Sequence, residues 1–198
     1  MDALRELDTP DGVRVVVIAA ADDPAERRER ARAAARELVA ELADVRAGSV
    51  ILDTSCAFCG GDHGRPTALV ISATAALPAA VSISHAGDLT VVAASLRERA
   101  IGVDAELRVT RPDRVEAIGK IAPGRGEPML RWTRIEAVLK GDGRGLRVDP
   151  RHVVFSPLPR QTARARIQVP GSSPGPAWRL FDLDDEELFV SLAVPDGD

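Results

Sequence analysis

Val13-Arg14-Val15-Val16-Val17-Ile18-Ala19-Ala20-Ala21-Asp22-Asp23-Pro24-Ala25-Glu26 carries the chain from one periodicity into another. Residues 13–19 alternate, are rich in β-branched side chains and read as a strand. Asp23 can then cap a helix, Pro24 suits the first helical position, and Glu26 sits where a capping-box carboxylate reaches back. The long helix that follows presents Ala31, Ala35, Leu38, Leu42 and Val45 as an apolar stripe, while Arg28, Arg32 and Arg36 recur along another face. Gly48 is its expected end. A strand feeding a long amphipathic helix is the start of a sheet-on-helix layer.

Working outward, a short run at 50–52 leads into the glycine-rich loop Cys59-Gly60-Gly61-Asp62-His63-Gly64-Arg65-Pro66, which is irregular by composition. Residues 67–72, 80–84, 89–95 and 100–106 read as strands, with turns at Ala86-Gly87-Asp88 and Arg97-Glu98, and a sheet of consecutive strands is the simplest arrangement. Helical patterns resume at 112–121 and 127–140, interrupted by Pro123-Gly124-Arg125-Gly126. Strands return at 153–156, 163–169, 178–183 and 188–194, with 172–176 a loop. The order predicts an α+β fold of two halves, residues 1–100 and 101–198, each a small antiparallel sheet packed on a long helix.

Composition narrows the function classes. The 198 residues are 45% hydrophobic, enough for a globular core, and the net charge of −4 supplies no basic field for nucleic acid. No apolar run approaches the roughly 20 residues that span a bilayer, and the N-terminus lacks the basic-then-apolar pattern of a signal peptide. The expectation is a cytoplasmic protein with neither nucleic-acid nor membrane partners. Two cysteines, Cys56 and Cys59, are too few for a disulfide framework and should stay thiols.

Two short constellations carry chemistry. Ile101-Gly102-Val103-Asp104-Ala105-Glu106 puts two carboxylates two apart on a predicted strand, so both leave one face while Val103 and Ala105 leave the other. Adjacent anions repel unless a cation lies between them, and Mg²⁺ suits a few carboxylate oxygens supplemented by water and phosphate; alone, the pair also fits a solvated strand end. On the second helix Met129, Trp132, Ile135 and Leu139 form the buried stripe. Glu136 and Lys140 lie beside it, one turn apart, where they would be an ordinary Glu-to-Lys pair if nothing else were near.

Together these pieces resemble the signature of the 4′-phosphopantetheinyl transferase superfamily, a Gly-x-Asp-x-Glu strand followed by an aromatic-containing helix with Lys-Glu-Ala-x-x-Lys. The match is Gly102-Val103-Asp104-Ala105-Glu106, then Trp132, Glu136-Ala137 and Lys140, with residues 141–146 similar to the family's glycine-rich turn. Upstream, Gly64-Arg65-Pro66 resembles its Gly-Lys-Pro element, Val81-Ser82-Ile83-Ser84-His85 its Phe-Ser-Ile-Ser-His strand, and the segment around Arg32 its arginine-bearing first helix. The elements fall in the family's order from Arg28 to Leu146. The larger, single-chain (surfactin-synthetase-activating) type is the nearer likeness.

That resemblance implies transfer of the 4′-phosphopantetheine arm of coenzyme A to a serine of an acyl or peptidyl carrier protein, with release of 3′,5′-ADP. It implies Asp104, Glu106 and Glu136 as Mg²⁺ ligands, with Glu136 and Lys140 catalytic. Arg32 and His85 would meet the 3′-phosphate, and Gly64, Arg65, Pro66 and Ser84 would line the adenine and ribose end. It also implies a monomer whose two halves are pseudo-symmetric, a single chain that mimics a dimer. Two features differ from the family: Ile135 stands where Lys is usual, and residues 107–130 lack the Phe-Phe and acidic segment that helps receive the carrier. A coenzyme A or nucleotide-binding protein without efficient chemistry is the alternative those differences keep open. Cys56-x-x-Cys59-x-x-x-His63 has a zinc-like spacing but wants for a fourth ligand beyond His85 and His152; packed cysteines beside a turn are the simpler expectation.

Overall fold

The computed structural model describes residues 3–56, 59–62, 64–72, 74–157 and 162–197. Among them the chain is α+β, with three α-helices and eleven strands in two antiparallel sheets. It divides into two compact units, Met1–Ile101 and Gly102–Asp198.

In the first unit the strands are β1 (Arg5–Leu7), β2 (Arg14–Ala19), β3 (Val50–Asp53), β4 (Thr67–Ile71), β5 (Ala76–Ala86) and β6 (Leu89–Ser95), paired in the order β1-β2-β6-β5-β4-β3. Helix α1 (Pro24–Ala43) packs on this sheet, burying Ala34, Ala35, Leu38 and Val39 against Val16, Ile18, Val70, Val81 and Val92. Asp23 caps it as the sequence predicts, accepting from the amides of Ala25 and Glu26. The Glu26 carboxylate goes forward to Arg30 instead of back to the cap, because a guanidinium one turn on is a stronger partner than a backbone amide.

The helix ends a turn before Gly48. Asp44 takes the left-handed position at φ 53°, its amide bonds Glu41 O, and Val45 N bonds Ala40 O, which together close the helix as a Schellman motif. A glycine is the usual sign of such an end, but aspartate tolerates the same backbone. Gly48 falls instead in a 3₁₀ turn, Ala47–Ser49. Strand β1, three residues long, is too short to carry a pattern of its own and is set by its pairing with Val15, Val16 and Val17.

The second unit contains β7 (Gly102–Leu107), α2 (Pro112–Ile121), α3 (Pro128–Asp142), β8 (Val153–Pro157), β9 (Thr162–Ile167), β10 (Ala177–Leu183) and β11 (Leu188–Pro195). Its sheet runs β7-β11-β10-β9-β8. The strands from residue 67 onward therefore do not share one sheet. β7 pairs with β11 from the far end of the chain, aligning Val103 with Leu192 and Ala105 with Val190, and so becomes an edge strand. No tight turn ties it to β6, so its partner was free to be remote.

Glu127 caps α3 by accepting from Met129 N, and Gly143, at φ 85°, closes it. Met129, Trp132, Ile135 and Leu139 are buried as expected, but so are Thr133, Ala137, Val138 and Gly141. The helix is thus buried over more of its circumference than a single stripe. Thr133 and Ser191 place their hydroxyls 2.9 Å apart in the interior, Ser191 donates to Asp182 at 3.2 Å, and Arg134 Nε donates to the same carboxylate at 2.9 Å. Asp182→Ala leaves both donors without their acceptor and should cost about 2 kcal/mol, read as a lowered denaturant midpoint. No helix among the described residues is long and apolar enough to cross a membrane.

Candidate functional site

The carboxylate cluster of the second unit is built by two glycines. A Cβ on Gly102 would lie 1.9 Å from Ala137 O and 2.5 Å from Gly141 N, so the backbone of α3 rests directly on β7 at that point. Gly141 answers from the helix, where a Cβ would come within 2.7 Å of the Trp178 ring. Asp104 and Glu106 leave β7 from the same face as Gly102, because side chains alternate along a strand. Glu136 and Lys140 are the chain neighbours of Ala137 and Gly141. The helix therefore sets its Glu136 and Lys140 over the strand's two carboxylates.

Asp104 is 5% exposed, which rules out a solvated strand end. Lys140 Nζ donates to Asp104 Oδ1 at 2.6 Å, reaching across to β7. Glu106 accepts from Arg114, in the first turn of α2, at 2.5 Å. Burial raises the Glu106 carboxyl above its ordinary value, against the pull of Arg114. Glu136 is pushed up to about 7, first by burial and then by the negative charge of Asp104, with Lys140 opposing and Glu106 reinforcing the rise. Asp104, Glu106, Glu136 and Lys140 thus form one electrostatic unit, short of positive charge.

Among the described residues no group of three or more His, Cys, Asp or Glu side chains is close enough to hold a metal ion. Lys140 and Arg114 occupy carboxylate oxygens that a metal would need. The donor chemistry fits a hard cation nonetheless, since all three acids offer oxygen and Glu136 carries the cost of an anion crowded by two others. Ile135 is 3% exposed and packed, so an apolar residue there leaves no void.

The first unit holds the other candidates. Arg32 projects from α1 and donates to Asp62 Oδ1 at 2.6 Å. Asp62 belongs to the glycine-rich loop, which also contains Gly64. Gly64 N bonds Thr54 O at 2.7 Å, and a Cβ there would sit 2.3 Å from Ser55 O, so the loop closes only with glycine at this position. Arg65 and Pro66 follow, half-buried, leading into β4. His85 is exposed and its Nδ1 lies 2.8 Å from Thr90 Oγ1 on β6. Val81 and Ile83 belong to the α1 side of β5, which puts His85 on that side and the buried Ser84 on the other.

Cys56 is buried and Cys59 is exposed, and the two are not joined in a disulfide. Gly61 N donates to Cys59 Sγ at 3.4 Å, and Cys56 N bonds Gly61 O at 2.8 Å, so the pair sits in a closed turn. His63, the third member of the zinc-like spacing, lies outside the described residues. Sequence reasoning missed Arg114, Thr54 and Asp62, whose pairings follow no helix or strand repeat, and it gave Gly102 no task. No known family model matches this chain, and no curated protein matches its sequence.

Proposed function

We propose that the protein is a 4′-phosphopantetheinyl transferase, using Mg²⁺ to move the phosphopantetheine arm of coenzyme A to a serine of an acyl or peptidyl carrier protein. The observation that carries this reading is the meeting of α3 and β7, where Lys140 Nζ donates to the buried Asp104 at 2.6 Å and the carboxyl of the neighbouring Glu136 is raised first by burial and then by the charge of Asp104. A single-chain monomer in the cytoplasm is the accompanying proposal. Each unit pairs an antiparallel sheet with one long helix, in keeping with two pseudo-symmetric halves, residues 1–100 and 101–198.

In this mechanism Asp104, Glu106 and Glu136 would hold Mg²⁺, with Lys140 and Arg114 giving up their contacts. The ion, when bound, supplies positive charge to the diphosphate. The carrier's serine oxygen attacks the β-phosphorus of coenzyme A, a P–O bond forms, and the P–O bond to the departing 3′,5′-ADP breaks. Glu136, or a water polarised by the same ion, would take the serine's proton. Lys140 offsets charge on the leaving nucleotide. Arg32 and His85 would meet the 3′-phosphate, while Gly64, Arg65, Pro66 and Ser84 would border the adenine and ribose.

Incubation with coenzyme A, Mg²⁺ and a panel of apo carrier proteins should add one phosphopantetheine to the mass of at least one carrier. Coenzyme A binding without mass gain on any carrier would leave the non-catalytic binding reading in its place.

A further inference from the structure

Asp62 is an exposed loop residue, yet one of its oxygens accepts two short hydrogen bonds, from Arg32 at 2.6 Å and Thr54 Oγ1 at 2.5 Å. Arg28, one turn earlier on α1, also lowers the Asp62 carboxyl. Arg32 is anchored between the fully buried Ala31 and Ala35, and Thr54 directly follows β3. The loop is drawn to them by its own backbone, through Gly64 N to Thr54 O and Cys56 N to Gly61 O. A guanidinium and a hydroxyl donating to one oxygen, with the positive charge of Arg28 nearby on the same helix, is a donor set suited to a phosphate oxygen.

We propose that Arg28, Arg32 and Thr54 form a phosphate-monoester subsite whose resting occupant is Asp62, so that an incoming phosphate must displace this carboxylate. The inference rests on the coenzyme A reading for the identity of the phosphate, its 3′-group. It adds Thr54 as a ligand and Arg28 as a nearby positive charge, and makes Asp62 a competitor that sets how strongly the 3′-phosphate is selected. Phosphate brings more negative charge and more acceptor oxygens than a carboxylate, which is why it wins the exchange.

The first test needs only inorganic phosphate, titrated by calorimetry at low ionic strength where such contacts are least screened. Asp62→Asn should bind phosphate about threefold to fivefold more tightly than the wild-type, the gain expected when an exposed ion pair stops competing. Asp62→Ser should do the same, and Arg32→Ala in the Asp62→Asn background should abolish the gain. Glu29→Gln removes the same charge from α1 but frees Arg36 instead, and should change phosphate affinity little. No gain in either Asp62 variant, or an equal gain in Glu29→Gln, overturns the proposal. The second test compares coenzyme A with 3′-dephospho-coenzyme A, and the Asp62 gain should appear for the first alone. A phosphate gain with both nucleotides bound alike would keep the subsite and sink the coenzyme A reading.

Discussion

Gly102→Ala should unfold or grossly loosen the second unit, at a cost of at least about 3 kcal/mol, above the ordinary range for an added methyl. The clash is with backbone: the new Cβ would sit 1.9 Å from Ala137 O and 2.5 Å from Gly141 N. A flexible side chain could swing aside, but a helix backbone atom moves only if α3 moves. Lifting α3 would also strip cover from Met129, Ile135, Val138 and Leu139 and break the Lys140 contact to Asp104. The measurement is equilibrium unfolding in denaturant. A midpoint within error of the wild-type would mean that α3 does not rest on β7. Gly48→Ala is the control, since nothing lies within 4 Å of its Cβ position, and should shift the midpoint little.

The same contact explains how much of the candidate site can be read from the chain. The carboxylates at 104 and 106 and the pair Glu136 and Lys140 were visible as local spacings, since a strand repeats every two residues and a helix nearly every four. What joins the two spacings is a missing side chain at 102, and a lone glycine in a strand says only that backbone or ligand comes near, not which. Ion pairs between remote residues left no trace in local pattern. The resemblance assigns Arg32 to a 3′-phosphate, and nothing in its helix pattern points to Asp62, in a loop thirty positions away, as its partner. Arg114 is only eight positions from Glu106, but it lies on α2 and Glu106 on β7, so the pair follows no single repeat.

The fold divides along the same line. Helix α2 begins and ends where the pattern put it, because Pro112 supplies the first-turn signal within the segment itself. Pairing of β7 with β11 is a contact across most of the second unit, and apolar alternation in β7 is compatible with any antiparallel neighbour whose register buries Val103 and Ala105. The end of α1 was misplaced for a smaller reason. Asp44 took the role that glycine fills more often.

Glu136→Gln should move stability and activity in opposite directions. In the folded protein the Glu136 carboxyl is held at about 7 against an ordinary 4.5, so the native state binds its proton more tightly than the unfolded chain does. This contribution leaves the fold at its best below pH 4.5 and takes stability away as pH rises to 7, by up to about 3 kcal/mol. In chelator the wild-type melting temperature should therefore fall between pH 5 and pH 8. Glutamine cannot ionise, so the variant should lose most of that slope, keep the smaller part that Glu106 contributes through its own raised carboxyl, and melt above the wild-type at pH 8. On the transferase reading proposed above, transfer to a carrier should drop at least about 100-fold, the usual scale for a lost general base. Added Mg²⁺ should restore stability to the wild-type at pH 8 and do less for the variant, which has one fewer anion to neutralise. An unchanged pH slope would show that burial does not hold Glu136 as described, whereas a changed slope with transfer intact would leave the electrostatics standing and remove Glu136 from the chemistry. A side chain that costs the fold stability at the pH where its chemistry is needed has the signature of a residue kept for function.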